Sequence, residues 1–155
     1  MRDMRSGLIG CLLVAFAASG CGGQTAISIP SAGEQQQVAG RFATALLQGD
    51  AVAARTLLAP RRDGALEFLV QQAVAPWKAQ HASIQLPARR IGNYWTVSFA
   101  RQRAQRDGTF ERQRGNLVVS IAPSAAGASV AFFALQNVHT RFSTHRDSQL
   151  LPSKR

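Results

Sequence analysis

The chain has 155 residues, 18 lysines and arginines against 8 aspartates and glutamates for a net charge of +10, and two cysteines. That length supports one domain with its own hydrophobic core, and so few cysteines exclude a disulfide-built scaffold. The positive balance, nearly all arginine, favours anionic surroundings such as phospholipid headgroups, cell-envelope polymers or nucleic acid.

Met1 to Arg5 supplies two arginines, and an apolar run extends from Leu8 to Ala18. A membrane-spanning helix needs about 20 apolar residues, whereas a signal peptide has roughly 7 to 15, so this run reads as an export signal. The small residues Ala18, Ser19 and Gly20 follow, and then Cys21. This pattern resembles the lipobox of bacterial lipoproteins, in which the cysteine receives a diacylglyceryl group on sulfur and is then exposed by cleavage. The resemblance makes Cys21 the lipidation site, although Ala18 stands where that family commonly has leucine. Leu8-Ile9-Gly10-Cys11 matches the letters better, but cleavage there would leave almost no hydrophobic segment upstream, so Cys11 reads as one more apolar residue of the run.

The implied protein is a lipoprotein of the bacterial cell envelope, held by Cys21 on the extracytoplasmic side of a membrane, since two acyl chains make a stable anchor where one does not. Removing residues 1–20 leaves 135 residues with 16 basic and 7 acidic side chains, a net +9. The remaining cysteine would be a thioether, so stability has to come from packing. Export makes nucleic acid the least favoured anionic partner, and none is expected.

Residues 21–30 read as a lipidated tether, 31–140 as the folded domain and 141–155 as a polar, basic tail. Ser31-Ala32-Gly33-Glu34 is a capping-box pattern, and Val38, Phe42, Ala45 and Leu46 follow at helical spacing until Gly49. Asp50 can cap a second helix, Ala51 to Leu58, that ends ahead of Pro60. Asp63 can cap a third, with Leu66, Leu69, Val70, Ala73, Val74 and Trp77 as its apolar stripe and Pro76 as its interruption.

Strands are predicted at Ser83 to Ile91, Tyr94 to Ala104, Phe110 to Ala122 and Ala128 to His139. Around Asp107-Gly108 a two-residue turn would pair Arg101 with Arg114 and mix faces. A three-residue loop, Arg106 to Gly108 with Gly108 left-handed, instead pairs Trp95 with Val119, Val97 with Leu117 and Arg103 with Glu111. The second register is predicted. Helices followed by consecutive strands imply an α+β layered fold.

The segment "FATALLQGDAVAARTLLAP", residues 42–60, resembles the opening of NTF2-like domains, the group that includes ketosteroid isomerase and SnoaL-type proteins. The resemblance implies a cone of three N-terminal helices packed on a curved antiparallel sheet, with a cystatin-like sheet and helix as the alternative. It also implies an apolar pocket used in that family for catalysis, ligand binding, dimerisation or protein contact, so fold alone selects no function.

Enzymes of this group commonly use a pocket carboxylate or histidine as general base. Here Glu34, Asp50 and Asp63 suit helix ends, Asp107 a turn and Glu111 a partner for Arg103, leaving no carboxylate within an apolar strand stretch. His81 and His139, with Tyr94 as a hydrogen-bond donor, are weak catalytic candidates. The three histidines lack ligand spacing, so no metal site and no cofactor are expected. Trp77, Trp95 and Phe99 are candidates to line a ligand pocket. Arg89, Arg90, Arg101, Arg103, Arg106, Arg112 and Arg114 fall on adjacent strands and predict a basic hairpin suited to an anionic headgroup, polymer or acidic protein. The functional expectation is a tethered, non-catalytic interaction module, able to pair as a homodimer. A binder of a small apolar ligand and a histidine-based isomerase or dehydratase are the alternatives.

Overall fold

The computed structural model describes residues 28–60, 64–77, 81–125 and 127–147. Three helices, α1 (Ala32–Gln48), α2 (Ala51–Thr56) and α3 (Ala65–Val74), precede five strands: β1 (His81–Ile84), β2 (Arg89–Ile91), β3 (Tyr94–Ala104), β4 (Phe110–Ser124) and β5 (Gly127–Ser143).

Local chemistry accounts for the helix ends. Ser31 and Glu34 form the reciprocal capping box: the Glu34 N–H donates to Ser31 Oγ at 3.3 Å and the Ser31 N–H donates to Glu34 Oε2 at 2.7 Å. Gly49 closes α1 in the left-handed conformation, at φ 87°, which glycine adopts without a Cβ penalty. The Ala53 N–H then donates to Asp50 Oδ1 at 2.9 Å to start α2. At α3 the N-cap position is Gly64, with no side-chain cap; Asp63 lies outside the described residues. The helix gives way at Ala75–Trp77 to a single tighter 3-10 turn containing Pro76.

The sheet is antiparallel throughout, in the order β1-β3-β4-β5, with β2 also paired to β3. The predicted continuous strand from Ser83 to Ile91 is instead two short ones, β1 and β2, with the cis Leu86–Pro87 bond between them. Proline supplies no ladder N–H, so pairing with β3 stops and restarts. The β3–β4 register is the predicted one: Trp95 faces Val119, Val97 faces Leu117 and Arg103 faces Glu111. Gly108 stands at φ 83° in the connecting loop. β5 runs to Ser143, beyond the expected end at His139, and bulges opposite Gly115 and again opposite Ser120/Ile121.

Alternation divides the sheet into two faces. The inner face presents Trp95, Val97, Phe99, Leu117, Val119, Val130 and Phe133 to Phe42, Leu46 and Leu47 of α1 and to Leu66 and Val70 of α3. The Phe42 and Phe133 rings lie 5.0 Å apart, tilted by 59°. Leu69, expected on the buried stripe of α3, is 44 % exposed. The segment after α2 joins the edge of β5, where the Val130 N–H donates to the Leu57 carbonyl at 2.7 Å and the Ala59 N–H donates to the Val130 carbonyl at 2.8 Å. Among the described residues, no helix covers the outer face with core-forming contacts; of its even-numbered β3 residues, Tyr94, Thr96, Ser98 and Ala100 are exposed or half-buried and Gln102 is buried.

Candidate functional site

Arg101 shares odd parity with Trp95, Val97 and Phe99, so the strand aims it at the inner face and not at solvent. It is 3 % exposed, which corrects its expected role as a surface anion contact. Its guanidinium lies 4.1 Å from the Trp77 ring centroid and 5.6 Å from that of Phe99. Nε and Nη2 both donate to Gln113 Oε1, at 3.2 and 3.0 Å, while Nη1 is buried without a hydrogen-bond partner. Burial, followed by repulsion from Arg103, pushes the Arg101 pKa down to about 10, because desolvation penalises the charged form.

The next inward arginine is also committed. Arg103 donates through Nε to Glu111 Oε2 at 2.7 Å, forms the ion pair through Nη2 at 2.6 Å, and donates through Nη1 to the Pro76 carbonyl at 2.8 Å. Gln105 and Gln113 donate to the same carboxylate. The Arg103 guanidinium lies 5.1 Å from the Trp77 ring centroid. A polar cluster therefore underlies the 3-10 turn, with Trp77 as its lid. Gln105 and Gln113 escaped the sequence reading, although the parity that pairs Arg103 with Glu111 also places Gln113 opposite Arg101.

On the outer face, Arg112 is held by the chain after β5: Nη2 donates to the His145 carbonyl at 2.6 Å and Nη1 lies 3.9 Å from Asp147. Gln102, 1 % exposed, exchanges two hydrogen bonds with the Asp147 backbone. Arg89, Arg90, Arg106 and Arg114 are exposed. The exposed members of the predicted set thus lie on the edge strand β2, the loop tip and one outward position on β4, more dispersed than the predicted hairpin.

Trp77, Trp95 and Phe99 are 2, 5 and 5 % exposed and belong to the protein interior rather than to the wall of an open pocket. The Trp95 indole N–H donates to Gln35 Oε1 of α1 at 3.2 Å. A groove of about 820 Å³ does open elsewhere, between α1, α2 and the Leu86–Ala88 segment, with Gly40, Ala45, Leu57 and Leu86 among its walls and Arg41 and Asp50 as its charged members.

The catalytic candidates do not converge. His81 pairs with Gln102 at one edge of the sheet and His139 pairs with Arg114 on β5 at the other, three strand spacings or about 14 Å across. Tyr94 lies at the start of β3, eight residues from Gln102, about 27 Å along the strand. Among the described residues, no group of three or more histidine, cysteine, aspartate or glutamate side chains could hold a metal ion, and no helix is long and apolar enough to cross a membrane. Cys21 lies outside the described residues. No protein-family model matches the chain, and a search of curated proteins found no match.

Proposed function

We propose that the protein is a lipid-anchored, extracytoplasmic lipoprotein of the bacterial envelope, and that its α+β domain, an NTF2-like cone, works as a non-catalytic interaction module. The signal-like residues 1–20 and Cys21 support the anchor, and the three helices followed by an antiparallel sheet support the cone. The observation that carries the module reading is the contrast between the two sides of the sheet. Between helices and sheet the volume is filled by Phe42, Leu46, Val97, Leu117 and Val119, each 0 % exposed, while exposed arginines and aromatics remain on the outside. Such a surface meets partners of opposite charge, which electrostatics attracts and orients. Anionic headgroups, envelope polymers and acidic proteins all have the required chemistry.

A second reading, a binder of a small apolar ligand, is favoured by the α1/α2 groove of about 820 Å³, within the size range of roughly 300–1,000 Å³ for ligand sites. Native mass spectrometry of residues 24–155 separates the two. Every core-cluster residue lies between Ala39 and Phe133, so this segment contains the whole core. A bare chain mass is the result expected of an interaction module; a discrete adduct that survives gentle purification would overturn it in favour of the ligand binder. The mass of the full chain recovered from bacterial membranes tests the anchor, which predicts loss of residues 1–20 and addition of a diacylglyceryl group that Cys21→Ser abolishes.

A further inference from the structure

The outer face carries a groove of about 500 Å³ with Ile91, Tyr94 and Phe132 at its exposed rim and Val118 in its wall, its remaining lining being the polar Thr96, Asn116, Gln136 and Asn137. These three rim residues are 64, 46 and 46 % exposed, whereas Val118 is only 8 % exposed. Ile91 pairs with Tyr94, and Phe132 pairs with Ser120 on β4, so the rim lies on one face at the end of the sheet formed by the β2–β3 and β4–β5 turns. Arg89, exposed on β2, adjoins it opposite the groove residue Thr96, while the exposed Arg90, opposite Trp95, leaves the same edge strand on the other side. Neither β2, β3 nor β5 contains a carboxylate, and the one on β4, Glu111, is buried on the inner face toward the other end.

The chain enters the domain at this same end. Gln35, in the first turns of α1, accepts from Trp95, and the Glu34 carboxylate stands 4.0 Å from the position of a Cβ built on Gly127 at the start of β5. Cys21 precedes the first described residue, Ser28, by seven residues, a maximum reach of about 24 Å. A lipid on Cys21 would thus keep this end of the sheet within tether reach of the bilayer, with the Arg106–Gly108 loop at the opposite end.

We propose that the Ile91–Tyr94–Phe132 groove, with Arg89 beside it on the edge strand, docks on the anionic phospholipid surface that receives the Cys21 anchor, an inference that rests on the lipid-anchor reading. Tyrosine and isoleucine or phenylalanine side chains place apolar surface at the headgroup level while the phenol stays wet, and arginine grips phosphate oxygens in pairs. Lipid chains combined with nearby basic residues hold more firmly than either alone. A second copy is the poorer occupant, since its outer face offers the same arginines, and the carboxylate described there, Asp147, lies beside Arg112 at the far end. Docked in this way, the domain points Arg106 and the outward Arg114 away from the anchored end.

The test uses the mature acylated protein, whose Cys21 sulfur would be blocked, so that one introduced cysteine is its sole free thiol. Ile91→Cys, Phe132→Cys and, as controls at the far end of the same face, Arg114→Cys and Arg141→Cys replace exposed residues and should leave the fold intact. Each carries an environment-sensitive fluorophore and is reconstituted into phosphatidylglycerol-containing vesicles with a spin-labelled phospholipid as quencher. The expected result is quenching several-fold stronger at 91 and 132 than at 114 and 141, reduced when Arg89 is changed to glutamate or when the vesicles are phosphatidylcholine alone. Equal quenching at both ends, or none at 91 and 132, overturns the docking while the acyl mass on the same sample still upholds the anchor. A concentration-dependent spectral shift at 91 and 132 without vesicles overturns it in favour of a second copy. Absence of the acyl mass refutes the anchor itself.

Discussion

Arg101 and Arg114 lie on the two adjacent strands of one hairpin, yet they have opposite fates. Arg101 is buried under Trp77, bound to Gln113 and shifted in pKa, whereas Arg114 faces solvent opposite His139. Side-chain alternation explains the difference: neighbours along a strand face opposite sides, and among the described residues the helices pack on one side of this sheet. A count of arginines on a hairpin overstates the charge available to a partner, because the inward positions are consumed by stacking and ion pairing.

The largest test of this contrast removes one aromatic from each face. Trp95→Ala should cost about 3–5 kcal/mol, measured by denaturant unfolding, since it empties a buried site and frees the Gln35 amide oxygen. Phe132→Ala, half-exposed on the outer face, should cost about 1 kcal/mol. Costs of similar size would mean that the outer face is covered in the free protein.

Arginines give the next largest separation. Arg103→Met should destabilise by about 2 kcal/mol because the buried Glu111 carboxylate loses its charged donor, while Arg114→Met should stay within about 0.5 kcal/mol. Gly115→Ala sharpens the inner-face geometry at the β5 bulge, where a Cβ would stand 3.0 Å from the Gln136 carbonyl oxygen and 3.2 Å from Val138. A loss between about 1 and 2 kcal/mol is expected there.

Modest effects belong to the capping box. Ser31→Ala should cost about 1 kcal/mol. The Glu34 carboxyl is held below its ordinary value of 4.5 chiefly by the backbone hydrogen bond from Ser31 and then by the Ser31 side chain. A carboxyl with a lowered folded-state pKa stabilises fully above the unfolded value and loses that contribution as pH falls through the folded value. The melting-temperature difference between the wild type and Glu34→Gln should therefore shrink on acidification from about pH 6 to about pH 3. A constant difference would assign the contribution of Glu34 to packing instead of charge.

Periodicity, capping residues and the left-handed preference of Gly108 determined the α+β order, the helix starts at Ser31 and Asp50, and the β3–β4 register. Each depends on groups within a few residues or on one hairpin. The pairing of Arg103 with Glu111 followed from that register, and the inward aim of Arg101 was implicit in the same parity. Tertiary structure alone decided that Trp77 covers Arg101, that residues 145–147 close over Gln102 and Arg112, and that His81, His139 and Tyr94 stand apart. It also set the first turns of α1, through Gln35 and Trp95, at the end of the sheet that carries the Ile91–Tyr94–Phe132 groove. These relations join segments far apart in the chain, and a local pattern specifies which face a side chain takes but not which distant segment will cover it.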